Sequence, residues 1–141
     1  MNFFWILLFG SFVAITEQPI DLVTGANNVP LGAPISAITH GASLFVDITS
    51  KIPKDEVTIE LSRKWVEKNV PPGCLKAVLR GENAVVVPLE FNGALSFEPG
   101  KVFLILASAG GMPVRQDFKS LSLTSCVPLS RVVVYWQNYQ K

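Results

Sequence analysis

Short apolar runs rich in Val, Ile, Phe and Thr recur along the chain, and each one ends at Gly, Pro, Asn or Ser. The runs follow one another at spacings of about 8 to 12 residues, which is the rhythm of an all-β domain. Short antiparallel strands bury their apolar faces most simply in a two-sheet β-sandwich, which is the predicted fold. The predicted strands span residues 20–24, 35–39, 43–49, 57–61, 75–80, 84–91, 94–97, 101–108, 118–124 and 131–137.

Turn residues between these runs predict local antiparallel pairing. Asn92 and Gly93 in "FNGA" predict a type I′ hairpin, and Pro99 and Gly100 in "EPGK" predict a type II turn. In "VVVPLEF" apolar side chains alternate as they do on a half-buried strand, and Pro88 there indicates a strand edge or a bulge.

The run "VFLILAS", residues 102–108, is apolar on both faces. A strand with two apolar faces must be covered on both sides, by a second layer or by a partner. We therefore expect it to be the central strand of the core, with Phe103, Leu104, Ile105 and Leu106 all buried.

Residues 53–68, "PKDEVTIELSRKWVEK", fit two structures. The alternation in "VTIEL" favours a strand over 57–61. The alternative is a short helix near 54–68, because acidic residues precede basic ones in the order that the helix dipole favours. The Pro-rich stretch Asn27 to Ser36 is predicted to be a loop.

The N-terminal stretch "FFWILLFGSFVAI", residues 3–15, has no charged side chain. A spanning helix needs about 20 apolar residues, whereas the core of a secretory signal needs roughly 7 to 15. We therefore expect residues 1–16 to be a signal peptide cleaved after Thr16 and residues 17–141 to be a single β-sandwich domain. A retained N-terminal anchor and a buried N-terminal strand or helix are the alternatives. Either a signal or an anchor places the domain outside the cytoplasm, periplasmic or secreted, with membrane contact only through residues 1–16 if they are uncleaved.

Two cysteines, Cys74 and Cys126, lie beside prolines at predicted strand ends. In an oxidising compartment they are expected to pair, and the bridge should join loops or strand ends. A closed loop of roughly 50 residues stabilises the fold by about 4 kcal/mol in the chain-entropy model. The cysteine spacing is similar to that of immunoglobulin domains, but no Trp lies between the two and Thr124 stands where those domains have a Tyr. The predicted architecture is therefore Ig-like without the sequence hallmarks, and no family is assigned.

Length and charge narrow the classes of function. A chain of 141 residues suffices for one domain with its own core. A net charge of +1 provides no basic surface for nucleic acid, which is therefore not an expected partner.

Few side chains suited to catalysis occur in the sequence. The single histidine, His40, lies at a predicted turn, and no short-spaced Cys or His pair forms a metal site. Asp47, Glu60 and Glu90 lie in predicted strands and could form a carboxylate pair only if the fold brings two of them together. We predict no catalytic residue, no metal and no cofactor; a small hydrolase with carboxylate chemistry is the second alternative.

Aromatic residues are the candidate binding groups. Trp65 lies in a charged stretch, and Tyr135, Trp136 and Tyr139 lie close together near the C-terminus. Strand alternation places Trp136 in the core with Val134, and turns Tyr135 to the other face. Trp65, Tyr135 and Tyr139 are the predicted ligand-binding residues, because sugar rings and protein hot spots stack on exposed aromatic rings.

The sequence therefore predicts an exported, non-enzymatic β protein that binds a protein or another envelope component, or serves as a structural envelope or extracellular module. A carbohydrate- or small-ligand-binding module using the surface aromatics is the first alternative.

Overall fold

The computed structural model describes residues 11–16, 18–31, 34–37, 41–52, 59–98, 100–113 and 115–138. Within these residues the chain forms mostly β-strands, one α-helix and a 3₁₀ turn at Thr49–Lys51. The strands are β1 (Ser11–Ala14), β2 (Ile20–Leu22), β3 (Gly25–Val29), β4 (Ile35–Ala37), β5 (Ser43–Asp47), β6 (Leu75–Gly81), β7 (Val86–Glu98), β8 (Lys101–Ala107), β9 (Gln116–Ser125) and β10 (Leu129–Asn138), and the helix α1 is Ile59–Asn69.

The described strands form one strongly curled antiparallel sheet, a half-barrel. The strand order is β1-β10-β5-β8-β7-β6-β9-β3, with β2 also paired to β10 and β4 also paired to β9. The predicted β-rich class is therefore confirmed, but the two-sheet sandwich with Ig-like architecture is not. A single curled sheet buries its concave face, as a closed barrel buries its interior.

The length of strand β7 explains why the described strands form one sheet rather than two. The predicted hairpin at Asn92 and Gly93 is wrong, because the chain continues through these residues as one strand of 13 residues. The first half of β7 pairs with β6 and the second half with β8. Between Phe91 and Leu95 the register with β8 shifts, and Gly93 adopts a φ of 105°, which non-glycine residues rarely adopt. The Asn-Gly pair thus forms a bulge that bends the strand.

The type I′ geometry expected at Asn92 occurs instead at Asn83 and Ala84, between β6 and β7. Both residues have positive φ, 58° and 63°, and the Val85 N–H donates to the Glu82 carbonyl at 3.1 Å. The second predicted turn lies where expected: Glu98 pairs with Lys101, and Gly100 has the positive φ of 73° that a type II turn requires. Pro99 lies outside the described residues.

The two ends of the sheet approach each other because it curls. The indole Nε1 of Trp136 in β10 donates to the carbonyl of Ser36 in β4 at 3.1 Å. The side-chain amide of Asn138 donates to the same carbonyl at 3.0 Å. These bonds connect the strand nearest one end of the sheet with a strand at the other end.

Strand β8 lies in the middle of the sheet, as its two apolar faces predict. It pairs with β5 on one side and β7 on the other. Phe103, Leu104 and Leu106 are buried, whereas Ile105 is half-buried. The prediction is confirmed for three of the four side chains. Pro88 also fits the predicted strand edge. It is exposed and lies in the first part of β7, before Glu90, where the pairing with β8 begins.

Residues 59–69 form the helix α1, so the predicted strand over 57–61 is wrong from Ile59 onward. The buried residues Ser62, Val66 and Val70 recur every four positions, a helical period that outweighs the short alternation of "VTIEL". The Asn69 side chain donates to the Trp65 carbonyl at 2.8 Å at the end of the helix. Val70 follows, and then Pro71 and Pro72, which cannot continue the helix. Residues 53–58 lie outside the described part.

The stretch from Asn27 to Ser36 is not wholly a loop. Asn27 to Val29 belong to β3, and Ile35 and Ser36 belong to β4; both strands pair with β9. Low β-propensity at "GANN" is compensated by this pairing, which supplies backbone partners that a sequence window does not contain.

Strand β1 lies within the segment predicted to be a signal peptide. Its four residues pair antiparallel with β10, from Ser11 opposite Asn138 to Ala14 opposite Tyr135. Residues 1–10 lie outside the described part of the chain, and the division at residue 16 stays a prediction.

Candidate functional site

Trp65 projects from the helix α1 and is partly buried against the core. Beside it, at the start of the helix, Ile59 is 55% and Leu61 is 40% exposed. Leu61 and Trp65 are four residues apart and so lie on the same side of the helix. The exposed Lys64 and Lys68 flank them, and Lys64 pairs with Glu60 at 3.4 Å. The side of α1 that carries Leu61 and Trp65 is thus apolar with a charged border, whereas Ile59, two positions before Leu61, lies on another side of the helix.

Tyr135 lies on the face of β10 opposite the core. Its ring meets the ring of Phe103 edge-on, with centroids 5.8 Å apart, and Phe103 meets Phe45 in the same way at 5.9 Å. Edge-to-face aromatic pairs of this kind stabilise packing beyond their buried area. We name Phe45, Phe103 and Tyr135 the outer aromatic cluster. Tyr135 is half-buried within it and is less exposed than alternation alone predicts.

The predicted ligand-binding residues have different surroundings in the described chain. Trp65 packs against the core cluster, and Tyr135 packs against Phe103. Tyr139 lies outside the described residues. Sugar binding by Trp65, Tyr135 and Tyr139 therefore stays a prediction. Trp136 is buried in the core, as alternation predicts.

Cys74 and Cys126 lie at disulfide distance, with Cα atoms 5.0 Å apart. Cys74 directly precedes β6 and Cys126 directly follows β9, and these two strands pair with each other. The Cys126 N–H donates to the Cys74 carbonyl at 3.0 Å. The bridge therefore joins two adjacent strand ends, as predicted, and does not cross the core.

The three candidate carboxylates each have a local partner. Asp47 accepts the backbone N–H of Thr49 at 2.8 Å at the start of the 3₁₀ turn. Glu60 pairs with Lys64 along the helix, and Glu90 pairs across strands with Lys76 at 3.8 Å. Such pairs are common on solvated helix and sheet surfaces.

The described residues hold no cluster of three or more His, Cys, Asp or Glu side chains arranged for a metal ion. His40 lies outside the described residues. Among the helical residues that the structure describes, no helix is both long and apolar enough to cross a bilayer.

Sequence reasoning missed Thr16 and Asn27, two polar side chains that hold strand edges. The Thr16 hydroxyl accepts the buried Val134 N–H at 3.1 Å. Asn27 accepts the Val23 N–H at 2.9 Å and donates to the carbonyls of Val23, Gly25 and Leu123. The only local signal was Asn27 in a turn-like stretch, where Asn side chains often bond to nearby backbone.

Comparisons of this chain with protein-family models, with curated proteins and with solved structures gave no match.

Proposed function

We propose that this chain is an exported, non-enzymatic β protein that acts by binding a protein partner in the periplasm or outside the cell. The observation that carries the proposal is the Cys74–Cys126 pair. Disulfides persist in oxidising compartments and are rare in reducing ones. The apolar N-terminal segment, which has the length of a signal sequence, supports the same location.

The side of α1 that carries Leu61 and Trp65 is the proposed partner surface. It combines the exposed Leu61 with the partly exposed Trp65 and a border of charged groups. Binding hot spots have this composition, with Trp enriched at the centre and charged groups at the rim. Asp47, Glu60 and Glu90 are engaged in local contacts, which favours binding over carboxylate catalysis.

The state of the thiols tests the location. The protein is isolated from its native source, unfolded without reductant and titrated for thiols. We expect no reactive thiol, because both cysteines are paired. Two reactive thiols in the isolated protein would overturn export.

Site-specific cross-linking tests the surface. A photoreactive amino acid replaces Leu61 in one variant and Asn28 in the control, since Asn28 is exposed on β3, three strands from β7 in the sheet order. We expect a discrete protein adduct from position 61 and none from position 28. The same adducts from both positions, or none from position 61, would contradict the proposed surface.

A further inference from the structure

The outer edge of β10 is covered by two separate segments. Strand β1 pairs with residues 135–138, and β2 pairs with β10 at Leu129 and Val132. The opposite edge of β10 pairs with β5. Among the described residues, the part of the outer edge nearest the C-terminus therefore pairs with residues 11–16.

Both backbone groups of Val134 bond to the segment that covers this edge. Its carbonyl accepts the Ile15 N–H at 2.8 Å, and its N–H donates to the Thr16 hydroxyl at 3.1 Å. Thr16 is only 6% exposed, so the Val134 N–H has a buried protein acceptor rather than water. A buried donor that loses its acceptor destabilises the structure, because no water replaces the lost bond. The covering segment ends at Thr16, the residue after which the sequence predicts cleavage.

We propose that this edge of β10 is a strand-docking site of the processed protein, which takes an extended segment of a partner protein in the place of β1. The inference rests on the export and processing that belong to the proposed function. Removal of residues 1–16 takes away the strand partners that the backbone groups of Val134 and Trp136 have in the full chain. Such an edge is a template for an added strand, whose main-chain hydrogen bonds provide the affinity.

The geometry of β1 defines the chemistry of the partner segment. It runs antiparallel to β10, with Val13 opposite Trp136 and Ala14 opposite Tyr135. Small or β-branched residues thus stand opposite the two largest side chains of the edge. A hydroxyl residue at the position of Thr16 satisfies the Val134 N–H. A second copy of β10 would place aromatic residues where β1 has small ones, which favours a different protein as the occupant.

Strand exchange in the full chain tests the proposal. A protease site inserted between Thr16 and Pro19 allows the folded full-length protein to be cut. The probe is a fluorescent synthetic peptide with the sequence of residues 11–16, added to cut and to intact protein in sub-denaturing urea. We expect its anisotropy to rise with the cut protein and not with the intact protein, because β1 of the intact chain holds the edge.

Two pairs of matched peptides show whether the peptide binds as a strand. Because the Ile15 N–H donates to β10, antiparallel alternation directs the Val13 N–H toward β10 and the Ala14 N–H away from it. N-methylation at Val13 should therefore weaken binding about tenfold or more, and N-methylation at Ala14 should leave it unchanged. Thr16→Val should also weaken binding about tenfold, whereas Thr16→Ser retains the acceptor.

Three results would overturn the inference: no exchange of peptide into the cut protein, equal binding of all the matched peptides, or a dimer of cut protein that excludes the peptide. Mass spectrometry of the exported protein tests processing separately. We expect a chain that begins at Glu17, and an exported chain that keeps residues 11–16 would overturn the inference. Thiol titration and cross-linking at position 61 are independent of all these results, so the proposed function can stand or fall separately.

Discussion

Strands β9 and β10 have corresponding positions, each second from one end of the sheet order, but their outer edges are covered differently. Each has ten residues, and each is flanked on its outer edge by two short strands from the first part of the chain. Strands β3 and β4, which cover β9, lie well inside the predicted mature domain. Strand β1, which covers the end of β10, lies inside the predicted signal segment. The outer edge of β9 is thus covered by the predicted mature domain, whereas the C-terminal part of the β10 edge is covered only while residues 11–16 are retained.

The bonds that reinforce the two strands also differ. At β9 the disulfide ties Cys126 to the start of β6, and Asn27 bonds to the Leu123 carbonyl at 3.1 Å. At β10 the corresponding bond from the covering segment is the Thr16 hydroxyl. The indole of Trp136 then fixes β10 to the other end of the sheet. We expect removal of residues 1–16 to leave the pairing of β9 as stable as before and to weaken the pairing of β10.

Loss of the disulfide should have the largest effect. The bridge closes a sequence separation of 52 residues, and the double variant Cys74→Ala with Cys126→Ala should lose about 4 kcal/mol of unfolding free energy. Urea unfolding of intact protein and of protein cut after Thr16 should show the same loss in both. A loss confined to one of them would contradict a bridge that stabilises β9 independently of residues 1–16.

Leu104→Ala in β8 tests the middle of the sheet and serves as a reference for the substitutions near β9 and β10. Leu104 is fully buried in the central strand, and its truncation should cost about 3 kcal/mol. Chemical denaturation provides the measurement, with Lys101→Ala at an exposed site of β8 as the control. A cost of Leu104→Ala no larger than that of the control would show that β8 is not central.

Asn27→Ala should remove the four side-chain hydrogen bonds that Asn27 makes near β9. We expect a loss of about 2 kcal/mol, because two of the four bonds, those to the carbonyls of Gly25 and Leu123, are partly buried. The neighbouring Asn28→Ala is the matched control at an exposed site of the same strand. Urea unfolding should give the same loss in intact and cut protein, and a loss that depends on the cut would break the contrast between the edges.

Thr16→Val should cost about 1.5 kcal/mol in the intact chain, because the buried Val134 N–H loses its acceptor. Thr16→Ser should restore most of that stability. Amide hydrogen exchange at Val134 provides a local measurement, since its protection should fall in the Val variant and remain in the Ser variant. Unchanged exchange in the Val variant would mean that β1 does not close this edge.

The smallest effect is expected at the exposed ion pair between Lys119 of β9 and Glu82, whose charged atoms lie 2.5 Å apart. The hydrogen bond to Glu82, and then its negative charge, raise the pKa of Lys119 above its usual 10.5. A raised pKa in the folded state stabilises the protein below the unfolded value, and that contribution disappears as pH rises through the folded value. Lys119→Met should lower the unfolding midpoint slightly at neutral pH, and high salt should remove the difference because the pair is exposed. A difference that persists in high salt would contradict an exposed pair.

Several features of the fold followed from the sequence because they depend on local alternation. Val132, Val134 and Trp136 are buried on one face of β10, and the neighbours between them are half-buried. Strand β8 is apolar on both faces, and this indicated its central position, because both apolar faces have to be covered. The closeness of Cys74 and Cys126 also followed, because two cysteines at strand ends of one small domain that is predicted to be exported are expected to pair.

Tertiary structure alone decided how these strands assemble. "FNGA" is a strong local hairpin signal, but β7 passes through it as a bulge because pairing with both β6 and β8 supplies more backbone partners than a hairpin. Residues 59–61 alternate like a strand, yet they belong to a helix because Val66 and Val70 complete a buried helical face. The closure of β10 by Thr16 joins residues 118 positions apart in the chain. Local pattern determines which face of an element is apolar, whereas long-range pairing determines which edge needs a partner.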